Sequence, residues 1–220
     1  MLQQEWQYSL KYYGKYRHLL RRDLNDIPAF RVIRDFCETK KGGLILDVGC
    51  GIGYLLNWLS TSKNATGVGM DFTSTALKAG NKLFSNLTLV HGIAQNLPFN
   101  NGTFDCVIMF NVIEHIEGHF HEHVLIEVRR ILKRGGFLII GTIDKDSIYR
   151  ALFIHDKTHV HEFGKLEFIK LCSKYFKVKN YVYTNSVGRF PKFVNQLFAE
   201  ALPCDIILQC QKTAPPELQL

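Results

Sequence analysis

One short apolar segment and the glycines behind it constrain the fold of this chain more than any other feature. Residues Leu44–Val48 are apolar except for Asp47, and glycines follow at positions 49, 51 and 53. Such an apolar run is typical of a strand buried in a parallel sheet. Glycine reaches positive φ and, because it lacks a Cβ, lets a ligand approach the backbone. Residues 54–60 have helical periodicity, so the whole unit predicts a strand–loop–helix site for a nucleotide-like ligand.

The spacing of these glycines separates two classes of nucleotide site. A dinucleotide fingerprint has the spacing G-x-G-x-x-G, and Tyr54 stands where its third glycine would be. This argues against the alternative of an NAD-dependent dehydrogenase. The observed G-x-G-x-G, with an acid two residues before it, resembles motif I of the class I S-adenosylmethionine-dependent methyltransferases. The resemblance implies S-adenosylmethionine as cofactor, an acid that suits its ammonium group, and a cofactor loop made of Asp47, Gly49, Cys50, Gly51 and Gly53.

Strand and helix patterns alternate along the rest of the chain. Strand patterns occur at residues 65–71, 87–91, 104–109, 137–141, 178–183 and 205–209. Helical spacing occurs at residues 74–83, 121–133, 166–175 and 190–202, and Gly135 and Gly136 are predicted to end the second of these helices. This alternation predicts an α/β fold with a doubly wound parallel sheet. With the resemblance, we expect a Rossmann-like, doubly wound seven-stranded sheet that is mostly parallel and has an antiparallel last strand.

The length of 220 residues suits one α/β domain with a short appended segment. We expect an N-terminal helical lid over residues 1–40, the S-adenosylmethionine-dependent methyltransferase domain over 41–212 and a flexible tail over 213–220. The lid contributes to the net charge of +7. A solvated basic face is the simpler interpretation of this charge, and a contact with RNA is the alternative. The residues concerned are basic (Lys11, Lys15, Arg17, Arg21, Arg22) and aromatic (Trp6, Tyr8, Tyr12, Tyr13, Tyr16).

Composition also indicates a compartment. The apolar runs are far shorter than the ~20 residues of a membrane span, and the N-terminus lacks the basic-then-apolar pattern of a signal peptide. Six cysteines occur without paired spacing, which is typical of reduced thiols in an intracellular protein. We therefore expect a cytoplasmic protein without a membrane span. The sequence leaves its oligomeric state open.

Further segments extend the resemblance over residues 40–145. Asp71 ends the second strand pattern, where a carboxylate can accept the ribose hydroxyls of a nucleoside; capping of the next helix is the alternative. Phe72 is expected to pack against the adenine ring. Residues 104–107 and 132–138 are similar to the "F-D-x-V" strand and the "L-K-P-G-G" turn of the family. These motifs stand in the family's order, and they imply the cofactor but not the acceptor.

Two of these segments carry specific expectations about the cofactor. Residues 92–99 resemble the adenine loop of the family, with Ile93 in place of the usual aspartate. We therefore expect the backbone near Ala94 and the side chain of Gln95 to hold the adenine. Asn111 opens a segment that resembles the "L-E-H" motif of the methyltransferase type 11 group, and the resemblance places it under the bound cofactor.

Histidines after the fifth strand pattern are the candidates for catalysis. A protein base is needed only where the acceptor loses a proton, and histidine suits that task near neutral pH. His155, His159 and His161 lie in a segment that resembles the "H-x-x-x-F" region of type 11 members. We expect His159 or His161 to be the base, with purely local hydrogen bonds as the alternative. Because histidines spaced by one residue are not a recurring zinc pattern, we expect no metal there or at His119-x-His121-x-His123.

The acceptor is constrained mainly by missing motifs. No Asn/Asp-Pro-Pro-Tyr and no Pro-Cys follow the fourth strand pattern, as methylases of exocyclic amino groups or of cytosine C5 would require. We therefore expect methyl transfer to a small molecule with a hydroxyl or amino nucleophile, with S-adenosyl-L-homocysteine as the product. The alternatives are an RNA or protein methyltransferase and a catalytically silent protein that binds S-adenosylmethionine.

Overall fold

The computed structural model describes residues 24–37, 42–153, 157–184 and 203–213. Helices in this part of the chain are α1 (Pro28–Phe36), α2 (Tyr54–Lys63), α3 (Ser74–Leu83), α4 (His121–Ile131), α5 (Ile148–Phe153) and α6 (Lys165–Ser173). Short 3-10 turns span Leu24–Asp26, Ile113–His115 and Gly118–Phe120. The strands are β1 (Leu44–Val48), β2 (Thr66–Asp71), β3 (Thr88–His91), β4 (Phe104–Phe110), β5 (Leu132–Ile143), β6 (Lys177–Thr184) and β7 (Asp205–Gln211).

The seven strands form one sheet in the order β3-β2-β1-β4-β5-β7-β6. Neighbouring strands from β3 to β5 are parallel, and β7 is antiparallel to both β5 and β6. This confirms the predicted doubly wound, mostly parallel sheet with an antiparallel last strand. The strand order reverses between β1 and β4, and the carboxyl ends of strands beside such a reversal are where open α/β sheets bind ligands.

Helices cover the sheet on both faces because successive residues of the central strands point in opposite directions. On one face, Ile45 of β1 and Ile108 of β4 share a buried cluster with residues of α1 and α2. On the other face, Leu46 and Val107 belong to a cluster that includes residues of α4 and α6. All four side chains are fully buried. The near-continuous apolar sequence of both strands follows from this two-sided burial.

The end of α4 differs from the one that the sequence predicts. Helix α4 ends at Ile131, and Leu132 already pairs with Phe104 of β4. The prediction that the paired glycines end this helix is therefore wrong. They lie in an irregular part of β5, where a Cβ on Gly136 would stand 2.9 Å from the Asp105 carbonyl oxygen and Gly135 has a φ of 74°. The short helix α5 was not predicted either.

Several predictions fall on residues outside the described part of the chain. These are most of the N-terminal lid, with its basic and aromatic cluster, the helix over residues 190–202 and nearly all of the tail. The three-part division of the chain therefore stays a prediction. Within the described ranges, no helix combines the length and apolar character that crossing a membrane requires.

Candidate cofactor and acceptor site

The loop between β1 and α2 adopts a conformation that its glycines make accessible. Gly49, Gly51 and Gly53 have φ values of 77°, 56° and 81°, in the left-handed region that side chains disfavour. A Cβ on Gly49 would also overlap Cγ2 of Val112, whereas the position of a Cβ on Gly51 has no atom within 4 Å. All three positions therefore favour glycine because of their positive φ, and Gly51 also has open space beside it for a ligand.

Asp71 joins the end of β2 to this loop. One carboxylate oxygen accepts a hydrogen bond from the Gly51 amide and the other from the Thr73 amide, each at 2.8 Å. Burial raises the pKa of Asp71 above its ordinary value, although these hydrogen bonds oppose the shift. The bond to Thr73 closes a local turn just before α3, and the N-cap of α3 has no side-chain capping hydrogen bond. Each oxygen of Asp71 retains further lone pairs, so the turn does not prevent a contact with the ribose.

Asp47 lies within β1, beside β2, and is almost fully buried. Burial, together with the nearby charge of Asp71, raises the pKa of Asp47 to about 8. A buried carboxyl of this kind favours a cationic partner, since a nearby positive charge stabilises its ionised form. The ammonium group of S-adenosylmethionine supplies such a charge, and the site therefore fits the predicted cofactor on chemical grounds.

Asn111 follows β4 in a conformation that is rare for a residue with a side chain. Its φ is 56°, its amide donates to the Gly141 carbonyl at 2.9 Å, and its side-chain oxygen Oδ1 is buried without a hydrogen-bond partner among the described residues. Strained backbone and an unsatisfied buried oxygen both mark functional positions. The adjacent Val112 packs against the glycine loop, so Asn111 lies beside the predicted cofactor loop.

The predicted adenine loop is anchored by residues that the sequence did not single out. Arg130 of α4 donates to the carbonyl oxygens of Leu97 and Phe99 at 2.9 and 2.6 Å, and Glu127 accepts from the Leu97 amide at 3.1 Å. The two side chains also form an ion pair with each other. Because they come from a helix about 30 residues further along the chain, no local motif indicated them.

The side chains predicted to contact adenine differ in burial. Ala94 is buried, while Phe72 and Gln95 are half-buried. Ile93, at the position of the family's aspartate, is 46% exposed and bridges to Asn96 within the loop. The Ile93 side chain is thus not needed for the core, and this position tolerates a polar residue on structural grounds.

His159 and His161 belong to two different networks, and His155 lies outside the described residues. Nδ1 of His159 donates to Glu162 at 3.1 Å, and Arg150 pairs with the same carboxylate. Burial alone would raise the pKa of Glu162, but the hydrogen bonds from Arg150 and His159 together hold it below its ordinary value. His159 is thus oriented by a carboxylate that stays ionised.

The network of His161 is more exposed. Its Nε2 lies 2.9 Å from Glu167, which also pairs with Lys145. The hydrogen bond from Lys145 is the main reason that the pKa of Glu167 falls to about 2. His161 also packs its ring 5.1 Å from that of His121. The local hydrogen bonds that were the alternative to a catalytic role are therefore present for both predicted histidines.

Glu114 is the glutamate of the segment that resembles the "L-E-H" motif, and the sequence gave its side chain no role of its own. Its side chain is fully buried, and Thr142 donates to one carboxylate oxygen at 3.1 Å. Burial raises the pKa of Glu114 to about 8. Its backbone carbonyl accepts from the amides of Val160 and His161 at 2.9 and 3.1 Å. These bonds hold residues 157–163, here called the histidine loop, against the turn after β4. Periodicity cannot predict this link across 46 residues.

Comparison with known proteins identifies the class. A family model described as a methyltransferase domain matches residues 46–140. A demethylmenaquinone methyltransferase of Staphylococcus aureus is 31% identical over 164 residues, which cover 71% of this chain and 67% of that protein. The chain belongs to the class I S-adenosylmethionine-dependent methyltransferases, as predicted, and S-adenosylmethionine is the methyl donor of this family.

Two further relatives extend the comparison. The uncharacterized protein MJ0638 of Methanocaldococcus jannaschii is 32% identical over 160 residues, which cover 70% of this chain but only 62% of that protein. This chain therefore spans less than two thirds of the length of that relative. A chain from the complex between the Haloferax volcanii Trm112 methyltransferase activator and a methyltransferase has a TM-score of 0.71 at 16% identity, covering 87% of this chain and 92% of that chain. This last likeness is one of fold.

Proposed function

We propose that this protein transfers the methyl group of S-adenosylmethionine to a hydroxyl or amino group of a small molecule and releases S-adenosyl-L-homocysteine. The observation that carries the proposal is the link from Asp71 to the amide of Gly51, which joins a strand-end carboxylate to a glycine loop with open space above it. A nucleoside fits this arrangement, since its ribose hydroxyls can donate to the carboxylate while its chain lies over the glycines.

Different residues are proposed to contact the amino acid end and the adenine of the cofactor. Asp47 is proposed to pair with the ammonium group, and Asn111 to offer its unsatisfied Oδ1 to the same end of the cofactor. Phe72, Ala94 and Gln95 are proposed to hold the adenine. Methyl transfer is an in-line displacement, in which the acceptor attacks the methyl carbon while the carbon–sulfur bond breaks. Fixed positioning of the two reactants can supply much of the acceleration.

A small-molecule acceptor is supported by the named activity of the Staphylococcus aureus relative, a demethylmenaquinone methyltransferase. Of the two histidines predicted as bases, His159 has the stronger structural support. Its Nδ1 donates to an ionised carboxylate, and that tautomer leaves Nε2 as the nitrogen that can accept a proton. Nε2 of His161 donates to Glu167 in the same way and leaves Nδ1 to accept a proton, but the His161 side chain is 36% exposed, against 6% for His159.

The compartment and the partners are part of the same proposal. The six cysteines are all buried and none forms a disulfide, which supports a reducing environment such as the cytoplasm. RNA remains the alternative acceptor through the basic N-terminal segment, which lies outside the described residues. Binding of RNA that weakens steeply with salt and that accompanies methyl transfer to RNA would replace the small-molecule proposal.

Calorimetry with S-adenosylmethionine and S-adenosyl-L-homocysteine tests the proposed cofactor site. The Asp71→Asn variant is expected to bind both at least about 10-fold more weakly, because hydrogen bonds to a charged group contribute about 1.5–3 kcal/mol. Asp35→Asn is the matched control, since Asp35 lies on the exposed side of α1 and its substitution should leave binding unchanged. Wild-type protein that takes up neither compound would refute the proposal.

A further inference from the structure

Three side chains with metal-binding atoms meet where the histidine loop touches the turn after β4. They are Glu114 and His115 of the turn Ile113–His115 and His159 of the loop. One ligand atom from each lies within 4.8 Å of the other two, and the rings of His115 and His159 are 4.9 Å apart. The sequence pattern considered for metal binding placed His159 with His161, where no metal was expected, and its grouping with Glu114 and His115 becomes visible only in the fold.

Both imidazoles are oriented as metal-binding histidines usually are. Nδ1 of His115 donates to the Thr158 carbonyl at 3.0 Å, and Nδ1 of His159 donates to Glu162 at 3.1 Å. These bonds fix the tautomer that carries the lone pair on Nε2. A carbonyl or carboxylate that accepts a hydrogen bond from the other ring nitrogen is the usual support of a metal-bound histidine. Arg150 holds the carboxylate of Glu162 in turn.

Glu114 supplies a buried oxygen whose hydrogen-bonding capacity is not met. Oε2 accepts the hydrogen bond from Thr142, whereas Oε1 is buried and has no hydrogen-bond partner among the described residues. An isolated buried carboxylate is costly, and coordination of a cation is one of the few ways to satisfy it. His115 is half-buried, whereas the His159 side chain is only 6% exposed, so an ion would enter past His115.

We propose that Glu114, His115 and His159 bind a divalent transition-metal ion through one carboxylate oxygen and two imidazole nitrogens. Two histidines and one carboxylate suit ions such as Zn²⁺, whereas Mg²⁺ and Ca²⁺ prefer oxygen ligands. Ligands of a tetrahedral zinc ion lie about 3.3 Å apart, as bond lengths near 2.0–2.1 Å require. The present ligand atoms lie within 4.8 Å of one another, so binding would require them to move closer together. Three protein ligands leave a fourth position open.

The inference rests on the proposed function and adds a way in which the acceptor hydroxyl is bound and loses its proton. The open position can take the hydroxyl oxygen of the acceptor, whose proton then leaves to solvent more readily because the ion stabilises the alkoxide. That oxygen forms the new bond to the methyl carbon, and the electrons of the broken carbon–sulfur bond stay on sulfur. Nε2 of His159 cannot hold an ion and accept a proton at once. In the metal-bound protein His159 is therefore a ligand, and the base role predicted from the sequence applies only without metal.

Titration of the full chain with Zn²⁺ after treatment with a chelator tests the site. Calorimetry should show one tight site per chain, and Co²⁺ should give the visible absorption of a four-coordinate ion. His115→Ala and His159→Ala should each weaken Zn²⁺ binding at least about 100-fold. Glu162→Gln should weaken it about 10- to 100-fold, because Glu162 orients the His159 ring. Glu114→Gln, which is close in shape, should also lose the site. His123→Ala is the matched control, because His123 is exposed on α4, and it should bind like the wild type.

The outcomes separate this inference from the proposed function. Equal Zn²⁺ binding by the wild type and the three ligand variants, or an equal loss in the His123 control, would overturn the metal site. S-adenosylmethionine binding is measured on the same samples. Uptake of the cofactor without tight Zn²⁺ binding refutes only the metal site, whereas Zn²⁺ binding without cofactor uptake refutes the methyltransferase proposal. If Glu114→Gln fails to fold, the two histidine variants and the Co²⁺ spectrum decide.

Discussion

Two parts of the sheet edge, the proposed cofactor end and the proposed acceptor end, are built in different ways. At the cofactor end, the loop from Gly49 to Gly53 depends on backbone conformation, and one short stretch of sequence encodes it. At the acceptor end, Glu114 and His159 meet through contacts between segments that are distant in the chain. A backbone-encoded site tolerates little change of any kind, whereas a side-chain network depends on particular functional groups and can lose one without losing the fold.

The largest effect is expected from Gly49→Ala at the cofactor end. The new Cβ meets Val112 and forces a side chain into the left-handed region. Overpacking costs about 1–3 kcal/mol and the left-handed conformation about 1–2 kcal/mol, so we expect a loss of about 2–5 kcal/mol in the free energy of unfolding and no detectable cofactor binding. Urea denaturation and calorimetry measure the two effects.

Gly42→Ala is the matched control for this change. Gly42 has a φ of 79° but open space around its Cβ position. It should therefore show only the conformational cost of about 1–2 kcal/mol and keep its affinity for the cofactor. Equal destabilisation by the two substitutions would show that close packing against Val112 does not constrain the loop.

The contrast between the two ends also explains how much the sequence could predict. The alternation of strands and helices and the glycine loop followed from periodicity and spacing, because both are local properties of the chain, whereas the antiparallel last strand was expected from the family resemblance. The role of Glu114 could not be predicted, since its position becomes informative only when residues 160 and 161 bond to its carbonyl. Arg130 was missed for the same reason. The error at Gly135 and Gly136 arose because a glycine pair suits both a helix end and an irregular strand.

At the acceptor end, His159→Ala should reduce turnover about 100-fold or more, the lower end of what a positioned acid–base group contributes. The same loss follows if His159 is a metal ligand. Cofactor affinity should stay within about twofold, because His159 belongs to the acceptor-side network. His161→Ala should have a smaller effect, and His119→Ala, on an exposed side chain, should have none. A larger loss of turnover for His161 than for His159 would reverse the assignment. Steady-state kinetics with an identified acceptor measures all three.

The raised pKa of Asp47 predicts that a proton is released when the cofactor binds. Its pKa of about 8 means that the carboxyl is mostly protonated at pH 7. An ammonium partner favours the ionised form, so binding below pH 8 should release up to one proton, and affinity should rise about 10-fold from pH 6 to pH 7. Calorimetry in buffers of different ionisation enthalpy counts the protons. Asp47→Asn should bind more weakly and abolish this release; a release that persists in the variant would assign it to another group, with Asp71 the next to test.

The smallest effect is expected at Ile93, where a substitution should improve the site. Ile93 is exposed and stands where the family has aspartate, so Ile93→Asp adds a carboxylate within the predicted adenine loop at little cost in burial. A hydrogen bond from the adenine amino group to this carboxylate should tighten S-adenosylmethionine binding about 3- to 10-fold, in line with about 1 kcal/mol for a partly exposed bond.

Two variants are the controls for Ile93→Asp. Ile93→Asn separates the effect of charge from that of shape, and Ile126→Asp, on an exposed residue of α4, controls for added surface charge. If Ile93→Asp leaves the affinity unchanged while the wild type already binds tightly, backbone groups of the loop suffice to hold the adenine.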